Sequence, residues 1–368
     1  MNGAATKTAL IRADASLTMG SGHVMRMLTL ALALAQKGFE PVFACRLQPG
    51  HLKQKIETHG FACLPLENKA AQETRYMHSH WLEGSNALAD AEACVETCNT
   101  RDLRPTLVVV DHYALGAEWE ARIKQAWPDC TLLAVDDLAD RPHACELLLD
   151  QNPGRNAGDY APWVPSFCKV LAGPSHALLR KQFEPTQPAR IAPAQSNGVL
   201  VCMGGADPDN LNLLVLHSLK DRLARFGWSA HVVAGQTNPN LGSLSAWCES
   251  HPQLAELHVD VGDMASLMRR CKLAVGAGGV MALERCAVGL PSITVAVAEN
   301  QMPGACALER LGAVGFVSSP AAIATEVPMW FDTLMNEALR KTMAHKAMQV
   351  CDGLGTQRVV QAALELCQ

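Results

Sequence analysis

Short apolar runs alternate with helix-length windows along the whole chain, and that alternation restricts the fold more than any single motif. Strand candidates in the first half are Thr8–Ile11, Pro41–Cys45, Thr106–Val110 and Thr131–Val135, with a weaker one at Leu147–Leu149. Helical windows lie between them at 23–36, 49–59, 86–101 and 116–126. The stretch 28–35 alternates Leu and Ala as a strand would. Its continuity with 23–37, its helix-forming residues and the stop at Gly38 predict a helix instead.

The second half repeats the arrangement. Strands are expected at Gly198–Cys202, Ala230–Val233, Leu254–His258, Leu273–Val275 and Ser292–Val295, and helices at 210–224, 240–249, 263–270, 279–289 and 301–311. Strands that are apolar throughout, separated by helices, imply parallel sheets covered on both faces. At 368 residues the chain exceeds what one core usually serves. Pro185, Pro188 and Pro193 punctuate the stretch 180–198, which has few large apolar residues and reads as a linker. The expectation is an α/β chain of two doubly wound Rossmann-like domains, 1–185 and 196–368, with the last helix able to pack back on the first.

A net charge of −5 argues against nucleic-acid binding, which needs a basic footprint. The 14 cysteines are scattered with no C-x-x-C pair and read as small buried thiols in a reducing compartment. The opening MNGAATKTALIRADA lacks the pattern of a secretory signal, and the longest aliphatic run, Leu28 to Ala35, is too short to span a bilayer. A cytoplasmic protein with no membrane partner, a monomer or weak homodimer, is expected.

Open parallel sheets bind ligands at the loops that follow the carboxyl ends of strands. Those loops here are RADASLTMGSGH, VVDHY, VDDLADRPH, CMGGADPDN, GAGGVMALE and VAVAENQ. In the second half, Gly204 and Gly205 follow one strand, with Asp207, Asp209 or Asn210 placed to cap the next helix. Gly276, Gly278 and Gly279 follow another, leading into Val280 and Glu284. Helix N-termini behind glycines offer unpaired N–H groups that suit a diphosphate, and a carboxylate in such a helix can accept from ribose hydroxyls. The plain alternative is that the glycines only permit tight turns. Two such loops in one domain, with Glu284 and the Glu299-Asn300-Gln301 stretch, favour a nucleotide-sugar site. No Walker pattern and no convincing G-x-G-x-x-G is present, so ATP hydrolysis and NAD binding are disfavoured and no cofactor is expected.

In the first half, His23 stands behind Gly20 and Gly22 at the start of a helical window. A helix N-terminus disfavours the imidazolium, and a neutral imidazole can take a proton from water. A purely local capping role is the alternative. The setting favours chemistry, because Asp14, Asp111, His112 and Tyr113 fall on loops expected at the same sheet edge. Three metal candidates are weaker. The Met77-His78-Ser79-His80 stretch reads as a solvated loop, Cys94 and Cys98 as two thiols on one helical face, and Asp136-Asp137 as a turn cap; no metal is expected.

These residues resemble a known family. The pattern R-x-D-x-S-x-x-x-G-x-G-H-x-x-R, running through Arg12, Asp14, Ser16, Gly20, Gly22, His23 and Arg26, is similar to the signature of PseG-type enzymes. So are D-H-Y at 111–113, D-D-x-x-x-R-x-H at 136–143, G-P-x-x-A-L-L-R at 173–180, C-M-G-G-A-D at 202–207, E-N-Q at 299–301 and D-G-x-G-x-x-R at 352–358. The likeness runs from Ala9 almost to the last residue. The G-x-G-H element and the stretch Gly278 to Pro291 also resemble MurG-like glycosyltransferases. The resemblance implies a GT-B fold with the substrate in an interdomain cleft and UDP held mainly by the C-terminal domain. It implies metal-independent, inverting hydrolysis of UDP-2,4-diacetamido-2,4,6-trideoxy-β-L-altropyranose at the anomeric C–O bond, in pseudaminic acid biosynthesis. Under it His23 is the base, and Asp14 and Tyr113 shape the sugar site or orient water. Gly278, Gly279 and Val280 receive the diphosphate, Glu284 the ribose, and Asn300 and Gln301 the sugar or pyrophosphate. Gly20, Gly22, Arg26, His112, Gly204 and Gly205 complete the substrate-binding set. The competing reading is a MurG-like transferase with a sugar or lipid acceptor.

Overall fold

A computed structural model describes residues 7–67, 78–185 and 197–367. The chain divides into two compact units. The first takes the residues up to Gln151, Arg155–Leu178 and the chain from Thr356 on; the second takes Asn152–Gly154 and Leu179–Gly355.

The first unit holds a seven-stranded sheet, parallel throughout among the described residues, in the order β3-β2-β1-β4-β5-β6-β7. The strands are β1 (Lys7–Ala13), β2 (Phe39–Cys45), β3 (Ala62–Pro65), β4 (Pro105–Asp111), β5 (Thr131–Val135), β6 (Leu147–Asp150) and β7 (Lys169–Ala172). Its helices are α1 (Gly22–Ala35), α2 (Lys53–Thr58), α3 (Ala87–Asn99) and α4 (Ala117–Ala126). Side chains alternate across a strand, so each central strand feeds two cores. Ile11, Val109, Leu133 and Leu149 face α1, whose Met27, Leu30 and Leu34 close that layer. Leu10, Val108, Leu132 and Leu148 pack on the other side with Cys94, Trp119 and Ile123. Residues 28–35 are helical, since burial of one stripe of α1 overrides the local Leu–Ala alternation.

The second unit has a six-stranded parallel sheet in the order β10-β9-β8-β11-β12-β13. Its strands are β8 (Gly198–Cys202), β9 (Ser229–Ala234), β10 (Ala255–Val259), β11 (Leu273–Ala277), β12 (Ser292–Val295) and β13 (Gly315–Val317). The helices are α5 (Leu211–Phe226), α6 (Leu241–Ser250), α7 (Met264–Arg270), α8 (Val280–Ala287), α9 (Met302–Arg310), α10 (Ile323–Thr333) and α11 (Glu337–Val350). Val201, Val232, Val275 and Ile293 form its core with Leu219 of α5 and Phe331 of α10.

One feature of the division differs from a break between 185 and 196. Residues 181–183 form a 3-10 turn whose Phe183 is buried, so the start of the stretch read as a linker belongs to the body of the second unit. Residues 186–196 lie outside the described residues. The last helix, α12 (Gly355–Leu366), packs in the first unit, where Val359, Val360 and Ala363 join the core around Met27 and Leu30.

Candidate active site

In each sheet the order of strands reverses once, between β1 and β4 in the first unit and between β8 and β11 in the second. Loops leaving two such neighbouring strands diverge to opposite faces and open a crevice at their carboxyl ends. The first-unit candidates gather at one of these points. Asp111 ends β4 opposite Ala13 of β1, which sets Asp14 and His112 beside each other and brings the loop after β1 over both.

That loop folds tightly, with Gly20 donating its N–H to Ser16 O at 2.9 Å, and Ser21 at the head of α1 offers no side-chain cap. Gly20 has φ +80°, a conformation that favours glycine, and a Cβ at Gly20 or Gly22 would meet nothing within 4 Å. The turn is therefore open at both glycines, while His23 behind it is buried.

His23 Nδ1 lies 2.6 Å from Asp111 Oδ1. Arg26, one turn further along α1, clamps the same carboxylate with Nε on Oδ2 and Nη2 on Oδ1, both at 2.6 Å. Burial alone would raise the Asp111 carboxyl, but Arg26 and His23 outweigh it and hold the acid well below the ordinary carboxylate range. An ionised carboxylate can only accept, so Nδ1 carries the shared proton and Nε2 of a neutral ring keeps its lone pair. Among the described residues no hydrogen bond to Nε2 is found. Asp111 thus fixes the tautomer of the ring, which the helix terminus alone would not.

Arg26 also reaches Asp137, with Nη2 2.8 Å from Oδ2, and Tyr113 donates its hydroxyl to the same oxygen at 2.5 Å. Burial and the Asp137 charge push the Tyr113 phenol well up, so it stays a donor. The Tyr113 ring meets His23 edge-on at 4.7 Å between centroids and stacks on Trp81 at 5.3 Å. Trp81 stands on a 3-10 turn, Ser79–Leu82, and also meets His23 edge-on at 5.8 Å. His78 packs on both Trp81 (4.7 Å) and Tyr113 (5.3 Å). Met77 lies outside the described residues. His78 corrects the reading of that stretch as a solvated loop, because it is half-buried in the aromatic cluster while His80 is exposed.

Three candidates sit beneath this layer. Asp14 is fully buried, both oxygens held by Arg12 at 2.5 and 2.8 Å and one also by the Arg46 N–H at 2.8 Å. Arg12 is shared with Asp90 of α3, which Trp119 and Arg46 also hold. Both Asp14 oxygens are thus engaged by the protein beneath the loop after β1. His112 is likewise buried. Burial pushes its imidazole down to about 3 against the opposing pull of Asp14. Its Nδ1 accepts from the Ala114 N–H at 3.2 Å, and Nε2 faces Asp14 at 3.5 Å. Arg26, placed among substrate-binding residues from the sequence, has its guanidinium engaged by Asp111 and Asp137 and positions His23. Asp136 and Asp137 point to different partners: Asp136 caps its own turn at Leu138 and Ala139 and pairs with Arg141.

In the second unit the two glycine loops differ. Asp207 accepts the N–H groups of Leu211 and Asn212 at 2.8 and 2.9 Å, so the α5 N-terminus behind Gly204 and Gly205 is already capped by the protein. Of the three residues placed to cap that helix, Asp207 is the one that does so. α8 has no side-chain cap. Its Gly279 has φ +72° and would meet nothing within 4 Å with a Cβ. Gly278 is packed instead, since a Cβ there would come within 3.0 Å of Gln301 Oε1. Val280 opens α8 half-exposed, and Asn300 is exposed on the turn just before Gln301. Glu284 is buried, and Arg180 binds its Oε1 through Nε and Nη2 at 3.1 and 2.9 Å. Burial raises the Glu284 carboxyl more than Arg180 lowers it. Arg285, which the sequence did not single out, lies buried under the same turn, with Nη2 on Ala277 O and Thr294 Oγ1.

No family model matches the chain. It is 30% identical over 275 residues to the UDP-2,4-diacetamido-2,4,6-trideoxy-beta-L-altropyranose hydrolase of Campylobacter jejuni, covering 74% of this chain and 85% of that one. Among solved structures it is similar to MurG of Acinetobacter baumannii, with a TM-score of 0.67 at 16% identity over 98% of this chain and 99% of that one. It is also similar to CalG4, the calicheamicin glycosyltransferase, with a TM-score of 0.61 at 14% identity over 99% and 98%. At those identities the two structures establish the fold alone, which is GT-B. The conjunction of sequence pattern, paired parallel sheets and 30% identity over 74% of the chain gives one conclusion: the chain belongs to the family of the UDP-2,4-diacetamido-2,4,6-trideoxy-β-L-altropyranose hydrolases.

Proposed function

We propose that the chain hydrolyses the UDP-sugar for which its Campylobacter jejuni relative is named, releasing UDP and the free sugar. Water attacks the anomeric carbon, its proton passes to His23 Nε2, and the C1–O bond breaks with its electron pair leaving on UDP. Attack from the face opposite the leaving group inverts the anomeric configuration. Asp111 and Arg26 fix the ring and its tautomer, and Tyr113, stacked on Trp81, walls the sugar side of His23. The uncapped start of α8 at Gly279 and Val280 takes the diphosphate, with Asn300 and Gln301 beside it. Glu284, oriented by Arg180, accepts from the ribose. The reading assigns the base to the N-terminal unit and the nucleotide to the C-terminal unit, in a cytoplasmic enzyme that needs no metal for this step.

The observation that supports it most is the 2.6 Å contact of His23 Nδ1 with Asp111 at the head of the helix that follows the Gly20–Gly22 turn. The test is hydrolysis in ¹⁸O water. Label on the sugar C1 hydroxyl supports the scheme, and label on UDP overturns it. A transferase would release UDP only when a sugar or lipid acceptor is added, so UDP release with water alone separates the two readings.

A further inference from the structure

We propose that His231, Glu256 and His258 form a divalent metal site of the zinc class on the β9–β10 edge of the second sheet. Parallel register sets Glu256 directly opposite His231, and His258 lies two residues beyond Glu256 on the same strand face. The three side chains converge from two strands. His231 Nδ1 is 3.1 Å from His258 Nε2, and Glu256 Oε2 is 3.6 Å from the first and 3.5 Å from the second. Among the described residues this is the one group of at least three His, Cys, Asp or Glu side chains whose donor atoms converge in this way.

The triangle has the dimensions a bound ion requires. Four ligands about 2.1 Å from zinc at tetrahedral angles stand about 3.4 Å from one another, which is the mean of the three separations here. Hydrogen bonding accounts for only one side of it. Two imidazoles at 3.1 Å can share a proton, but a carboxylate oxygen beyond about 3.2 Å from both nitrogens is outside ordinary hydrogen-bond range. It stands instead nearly equidistant from the two, where a third ligand would. Two neutral imidazoles and one carboxylate leave a divalent ion one net positive charge and an open fourth position for water. An adverse charge acts on His231 from Arg270 at the end of α7. β10 is the outermost strand, paired on one side only, so an ion held by both strands would pin the sheet edge.

The probe is Co²⁺, followed by Zn²⁺, added to chelator-treated full-length protein. One equivalent of Co²⁺ should give the visible bands of a tetrahedral nitrogen–oxygen site without the near-ultraviolet charge-transfer bands of thiolate ligation, which separates this site from the 14 cysteines. Zn²⁺ at about 100 times its Kd should raise Tm by about 5 °C or more. Glu256→Gln should weaken Zn²⁺ binding at least tenfold, and His231→Gln with His258→Gln should abolish both the cobalt spectrum and the Tm shift, with UDP-sugar hydrolysis unchanged. All three side chains are exposed or half-buried, so the variants should fold. Octahedral or thiolate cobalt spectra, or unaltered zinc affinity in the double variant, would overturn the assignment.

Discussion

Replacing Asp111 by Asn should disable His23 without emptying the site. Asp111 is fully buried and accepts three charge-assisted hydrogen bonds of 2.6 Å, one from His23 and two from Arg26. An amide of the same shape keeps only one acceptor oxygen. Arg26 cannot give up its protons, whereas an imidazole can move its own, so the amide oxygen turns to Arg26 Nε and the NH₂ group to His23 Nδ1. Arg26 Nη2 keeps Asp137 at 2.8 Å. The ring is then forced to accept at Nδ1 and to hold its proton on Nε2, where a base needs a lone pair. Turnover should fall about 10³-fold, a barrier increase of about 4 kcal/mol. Breaking a buried ion pair costs about 3–5 kcal/mol, and the surviving Arg26–Asp137 pair places the loss near the lower end. That is a Tm drop of about 6–12 °C for a unit of this size. The assay is single-turnover UDP release, with UDP affinity measured by calorimetry and folding checked by near-ultraviolet circular dichroism. A folded Asp111→Asn variant that turns over within threefold of the parent would refute the reasoning.

Trp81→Ala removes a stack on Tyr113 and an edge contact with His23, each worth about 0.5–1.5 kcal/mol; kcat should fall about tenfold, and an unchanged kcat would count against the aromatic wall. Gly279→Ala places a side chain at φ +72°, ψ −152° in open space at the α8 start, so UDP affinity should weaken about tenfold while Tm falls by several degrees, about 1–3 kcal/mol of strain; unaltered affinity would move the diphosphate elsewhere. His112 is pushed down to about 3 when folded, against about 6.5 unfolded, so the unfolded chain binds the extra proton between those values. Stability should be fully present above about pH 6.5 and fall by up to about 1.4 kcal/mol per unit from this group as the pH drops toward 3. Urea titrations of the parent and His112→Gln at pH 5 and pH 7 read the difference, and equal slopes would contradict it.

The central strands of both sheets are legible in the sequence because burial on two faces leaves them continuously apolar, as in 107–110 and 199–202. β3, β7 and β13 escape that signal. They have four, four and three residues, and β3 and β7 are partly exposed edges. At the site, the sequence brings forward His23, Gly20, Gly22 and Tyr113 because glycine and ionisable residues cluster where strands end. It cannot say that Asp111 holds His23 and Arg26, since that pairing depends on the register of β1 against β4. Trp81 and His78 sit on a short turn with no periodicity, and only the folded chain sets them on Tyr113. The sequence does not show that the fold buries Asp14 and His112, because buried ionic groups near a crevice are drawn from the same residue types as the groups that line it. The pair of His231 with His258 is invisible for a related reason, because 27 residues separate side chains that adjacent strands bring to 3.1 Å.

Turnover of His23→Ala, measured beside its affinity for UDP, tests the account most directly. A loss of about 10²–10⁴ in the rate of UDP release with UDP bound as tightly as by the parent is the expected result. Hydrolysis at the parental rate by the folded variant would contradict it.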